Sequence, residues 1–162
     1  MAMDPISPSP LEWLSRARSD LRVGLPVILR EGARRCLIAG AETVSDTRLS
    51  WFCEDGTATL ALTHWRAETL KIRVYDDDLA RLPLAPGIQR RDLAALIDPV
   101  GDLATPLKGP FHAVRDGASH FARAGLALAK SARILPAVIL RDLDTPVAGL
   151  TEILVDDITP PA

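Results

Sequence analysis

The chain has 162 residues, of which 48% are hydrophobic and 25% charged, and a net charge of −2. That length suits one domain burying close to about 70% of its unfolded surface. The near-neutral charge offers no basic surface to nucleic acid or to an anionic membrane, no apolar run is long enough to cross a bilayer, and the N-terminus lacks a leader pattern, so a cytoplasmic, reduced protein is expected.

Residues 1–8 are rich in Pro and Ser and are expected to form a disordered tail ahead of one domain over 9–158. Ser9, Pro10 and Glu12 form a helix-start signal, and Leu11, Leu14, Ala17 and Leu21 give that helix an apolar stripe ending at Gly24. Pro26 to Arg30 reads as a strand and Arg35 to Ala39 as its return across a turn at Glu31 to Arg34. Ser45 caps a short helix to Cys53. Thr57 to Leu62 reads as a strand, and Thr63 caps a helix to about Ile72. Cys36 and Cys53 lack disulfide or metal-ligand spacing and are expected in apolar surroundings, Cys53 beside Trp51 and Phe52.

Arg73 to Pro86 shows no clean period and carries the acidic run Asp76, Asp77 and Asp78. Arg91 to Ile97 reads as a helix, Val100 to Pro110 as a loop, and His112 to Val114 as a short strand. Gly117 to Leu143 is the unit around which the chain is organised. At the helical period of 3.6, Phe121, Gly125, Leu128, Ala132 and Leu135 share an inner face, while Ser119, Arg123, Lys130 and Arg133 lie opposite. Leu126 and Ile134 fall off the inner face, which favours self-association. Pro136 ends the helix, and Ala137 to Leu140 has the unbroken apolar character of a strand covered on both faces. Glu152 to Val155 is the last strand, and 159–162 forms a tail or the start of a linker. The pattern predicts an α/β domain with a mixed sheet and packed helices.

The order of segments resembles the dihydroxybutanone-phosphate synthase family. The resemblance rests on the helix before Arg22 to Val27, on Ala41 to Ser45, and on Leu60-Ala61-Leu62-Thr63 followed by Arg66, Ala67 and Leu70. It extends to Arg91 to Pro99 and to Leu128 to Ala137, covering about Leu11 to Ile158. It implies that family's fold and a dimeric assembly. The family makes a four-carbon phosphate from ribulose phosphate, using magnesium and an acidic loop after its first strand.

The departures matter more. The loop is here Arg30-Glu31-Gly32-Ala33-Arg34-Arg35, short and mainly basic, so that three guanidinium groups surround one carboxylate. The family's cysteine before the Leu-Ala-Leu-Thr strand falls on Thr59. Its metal-binding histidine lands on Phe121, with His120 one place off, and the glutamate two residues later becomes Arg123. The Thr-rich substrate segment has no counterpart between Arg73 and Gln89. A similar eroded domain stands at the N-terminus of some bacterial GTP cyclohydrolase II proteins, although Cys36 and Cys53 do not match the zinc-binding cysteines of the cyclohydrolase half.

No catalytic set can be carried over from the family. Glu31 and His120 remain as candidate catalytic residues, and Thr63 and Arg123 as candidates for holding a phosphate. Each also has a plainer reading: His120 and Arg123 on a solvated helix face, and Thr63 as an ordinary cap. Asp76 to Asp78 could bind a hard cation, but an exposed loop without other fixed ligands is the better reading. The expectation is a non-catalytic scaffold or interaction domain of riboflavin biosynthesis, without cofactor or bound metal. Its partner would be a second copy or a GTP cyclohydrolase II catalytic domain; the alternative is an enzyme with residual sugar-phosphate or nucleotide chemistry.

Overall fold

The computed structural model describes residues 5–70, 72, 78–98 and 119–158. The expectations for residues 1–4, Asp76, Asp77, the loop at 100–110, the strand at 112–114 and the tail at 159–162 lie outside the described residues.

Helix α1 spans Pro10–Arg22, and its start is the capping box expected from Ser9 and Glu12. Strands β1 (Val27–Glu31) and β2 (Arg34–Gly40) form an antiparallel hairpin whose turn is only Gly32 and Ala33, with Gly32 at φ +61°. Helix α2 (Asp46–Cys53) is capped by Ser45 and helix α3 (His64–Thr69) by Thr63, with β3 (Thr59–Thr63) between them. Strand β4 (Leu79–Pro83) follows, then helix α4 (Arg90–Ile97), helix α5 (His120–Ser131), strands β5 (Ala137–Leu143) and β6 (Glu152–Leu154), and a 3-10 turn at Val155–Asp157.

The six strands form one mixed sheet in the order β4-β3-β5-β2-β1-β6. The β1–β6 pair is parallel and the others are antiparallel. All four strands expected to share a sheet do so. Successive strand residues point to opposite faces, and here both faces are apolar. Leu60, Leu62 and Ile139 meet Phe52, Ala67 and Leu93 of α2, α3 and α4 on one side. Ala61, Val138 and Leu140 meet Leu14, Leu21 and Leu128 of α1 and α5 on the other. The result is a sheet between two helical layers, which is why Ala137 to Leu140 carries no polar alternation.

Three expectations are corrected. The segment from Arg73 to Pro86 contains β4, whose Leu79, Ala80, Arg81 and Leu82 are all buried. A strand covered on both faces loses the alternation by which a strand is recognised. Helix α5 stops at Ser131, before Pro136; Arg133 at φ +62° turns the chain instead. Leu126 is 5% exposed and belongs to the core cluster that includes Leu14 and Leu21, and Ile134 is half-buried against the same cluster, so neither is an exposed surface group. Helix α1 lies on α5 as well as on the sheet side, so α5 needs an apolar girth wider than one stripe.

Candidate functional site

Two cavities flank the start of α5. The first, of about 470 Å³, lies where that helix faces the ends of β1, β3 and β4, and it gathers Glu31, Thr63, Asp78, His120, Arg123 and Lys130. All four residues singled out in the sequence as site candidates therefore line one cavity. Leu79, Ala127 and Ile158 are among the apolar groups of its wall.

Four of the polar groups in this cavity meet in two pairs, Glu31 with His120 and Asp78 with Arg123. His120 Nδ1 lies 3.2 Å from Glu31 Oε1, joining the first turn of α5 to the end of β1. Arg123 donates from Nε to Asp78 Oδ2 at 2.8 Å and from a terminal nitrogen to Asp78 Oδ1 at 2.7 Å, a two-pronged contact matched to the planar guanidinium. That contact holds the Asp78 carboxyl below the usual carboxylate range, against a smaller opposing effect of burial. The Thr63 hydroxyl accepts from the Arg66 N–H at 3.2 Å, the ordinary task of a capping threonine. Residues 45 positions apart meet in the Asp78–Arg123 pair, and no local spacing announces it.

The second cavity, of about 440 Å³, lies on the other side of α5. Consecutive helix residues point about 100° apart, so Phe121 faces this cavity while His120 faces the first. Thr59 and Arg34 line it too. Thus three positions where the resemblance implies a cysteine, a metal-binding histidine and an acidic loop converge here as a hydroxyl, a phenyl ring and a guanidinium. The Arg34 guanidinium sits 5.8 Å from the centre of the Phe121 ring. Arg81 of β4, 8% exposed, adds a cation to the lining. No sequence signal marked Arg81, because it lies in the stretch that showed no period.

The remaining groups around this cavity are committed or peripheral. Asp55 accepts from the Thr57 N–H at 2.9 Å and from its hydroxyl at 2.7 Å, and its other oxygen pairs with Arg141 at 3.2 Å. Asp142 and Asp144 are exposed. Burial, with a smaller push from Asp142, raises the Cys36 thiol to about 12, so it is a neutral wall group at physiological pH.

The hairpin is less unbalanced than its sequence suggests. Glu152 of β6 contacts Arg35 at 2.8 Å and Arg30 at 3.3 Å, offsetting two of the three cations around Glu31. Tertiary pairing across the sheet made that correction.

No protein family model matches the chain, and no curated protein matches it in sequence. Solved structures do. RibBX, a two-domain 3,4-dihydroxy-2-butanone 4-phosphate synthase from A. baumannii, superimposes with a TM-score of 0.60 at 17% identity over 89% of this chain. The chain spans 56% of that protein. A 3,4-dihydroxy-2-butanone 4-phosphate synthase in a cation-free form gives a TM-score of 0.61 at 16% identity, with 89% of this chain and 93% of that one covered. A structure of 3,4-dihydroxy-2-butanone 4-phosphate synthase in complex with two magnesium ions gives 0.61 at 15% identity, with the same 89% and 93% covered. The fold is that of the dihydroxybutanone-phosphate synthases.

Magnesium in one of these relatives raises the question of whether this chain's residues fit the ion. Among the described residues no group of three or more His, Cys, Asp or Glu is placed to hold a metal. Glu31 is shared with an imidazole and Asp78 is taken up by a guanidinium, so the described residues do not fit a divalent cation. Among the described residues no helix is long and apolar enough to cross a membrane.

Proposed function

We propose that this chain is a non-catalytic scaffold or interaction domain of riboflavin biosynthesis, comparable to the N-terminal domain of a GTP cyclohydrolase II-like protein. One observation carries the reading: Arg34, Thr59 and Phe121 meet at the second cavity, in positions where the resemblance implies catalytic groups. Proton abstraction beside a carbonyl needs a positioned base, and a divalent ion needs oxygen or imidazole ligands. A guanidinium and a phenyl ring supply neither. The partner is a cyclohydrolase II catalytic domain or a second copy of the chain.

A second reading has its own observation. The 3.2 Å contact between Glu31 and His120, with Arg123 in the same cavity, is a carboxylate–imidazole pair of the kind that moves protons. It supports residual sugar-phosphate or nucleotide chemistry at the first cavity. Purified protein incubated with ribulose phosphate, and separately with GTP, each with and without magnesium, decides between the readings. The first predicts no four-carbon phosphate and no ring-opened GTP by mass spectrometry. Turnover abolished by Glu31→Gln or His120→Ala overturns it and establishes the second.

A further inference from the structure

We propose that the first cavity is a binding site for a small monocarboxylate with an apolar body. Such a site goes beyond the non-catalytic role proposed above and stands independently of it, because binding here needs no turnover. Leu79 of β4, Ala124, Leu126 and Ala127 of α5, and Val155 and Ile158 at the 3-10 turn give the cavity its apolar walls. The first four are buried, so little of this surface is shared with open solvent. The volume of about 470 Å³ falls in the range of small-molecule sites. Walls of this kind take up an apolar body in preference to a polyhydroxylated one.

The polar groups select the head of the ligand. Glu31 is engaged by His120 and Asp78 by Arg123. Lys130 is different. It stands on the same face of α5 as His120, Arg123 and Ala127, and it is exposed. Among the described residues its ammonium group has no hydrogen bond or ion pair, and its charge reaches Asp78 only as a small Coulombic pull. An ammonium group is a compact charge with three donors, suited to one carboxylate head. The two carboxylates in the lining oppose a second negative charge, so a monoanion is favoured over a phosphate ester carrying nearly two. The Thr63 hydroxyl accepts from the Arg66 N–H and has a proton left to donate within the cavity.

The test is a titration of the isotope-labelled chain with phenylacetate, followed by amide chemical shifts. Phenylacetamide and methyl phosphate are titrated in parallel, all with a chelator present. Saturable shifts are expected with phenylacetate at Ala124, Ala127 and Lys130, and the other two compounds should bind at least about threefold more weakly. Lys130→Gln, at an exposed position, should weaken phenylacetate by about threefold, leave phenylacetamide unchanged and keep the fold intact. Ala127→Leu fills the space and should block both ligands; if that variant does not fold, Lys130→Gln decides alone. The site is overturned if phenylacetate gives no saturable shifts, or if the amide or methyl phosphate binds as well. Shifts centred on Thr59 and Arg81, or an affinity unchanged by Lys130→Gln, overturn it too. Such results would leave the non-catalytic reading standing, because that reading is decided by product formation.

Discussion

Gly125 shows how one residue sets the distance between α5 and the sheet. A Cβ built there would lie 3.0 Å from Val138 Cγ2 and 3.6 Å from Ile38 Cδ1. The space is already filled by branched side chains on two neighbouring strands. Gly125→Leu is therefore expected to cost about 1–3 kcal/mol by overpacking. A thermal melt indistinguishable from the parent's would show that α5 does not press on β5 and β2 at this point.

The Asp78–Arg123 pair makes a second prediction at the same scale. Because Asp78 titrates lower in the folded chain than in the unfolded one, the unfolded chain takes up a proton first on acidification. The pair therefore adds stability above the ordinary carboxylate value, and that contribution fades as the pH falls through the lowered value in the folded chain. Both side chains are about half exposed, so the effect should stay below about 1 kcal/mol. Comparing melts of the parent and Arg123→Gln at neutral pH and near pH 3 checks this. The difference between them should shrink in acid, and a gap that widened would reverse the assigned sign.

At the scale of elements, α3 and α4 are tied by Arg66. This buried side chain donates from Nε to the Leu96 carbonyl at 2.7 Å and from a terminal nitrogen to the Ala95 carbonyl at 2.9 Å. Those carbonyls belong to the last turn of α4, which has no following turn to satisfy them. Arg66→Met preserves the apolar stem but removes the donors, leaving the carbonyls without these partners. A loss of about 1–3 kcal/mol is expected in denaturant unfolding. Amide hydrogen exchange should rise first in Leu93 to Ile97; protection unchanged there would show that α4 ends without help from α3. Strand β6 makes a comparable tie, since its Glu152 holds the hairpin arginines Arg30 and Arg35 from across the sheet.

For the whole molecule, the burial of Leu126 bears on assembly. Its side chain is buried in the core cluster on the α1 and α5 side of the sheet and in the wall of the first cavity, so little of it is offered to a second copy. Self-association then rests on the resemblance to a dimeric family. Sedimentation at tens of micromolar, roughly the concentration of an ordinary assay, decides it: a dimer supports that inheritance, and monomer alone removes it.

Much of the fold was legible before any coordinates. Ser9, Ser45 and Thr63 each carry a cap whose meaning is local, because a hydroxyl satisfies backbone N–H groups two or three residues away. The Ala137 to Leu140 run announced a strand covered on both sides, and the small residues of α5 announced close packing on the sheet. Glu31, Thr63, His120 and Arg123 were also identifiable as residue types able to do chemistry. Their convergence on one cavity was not, since it depends on strand order and on the direction in which α5 crosses the sheet. The same holds for β4, for Arg81 beneath α5, for the Asp78–Arg123 contact and for the sharing of Arg30 and Arg35 by Glu152. Capping and periodicity act over a few residues and leave a trace in the local sequence. Pairing across 45 residues, or between the two ends of the chain, leaves none, and only the tertiary structure decides it.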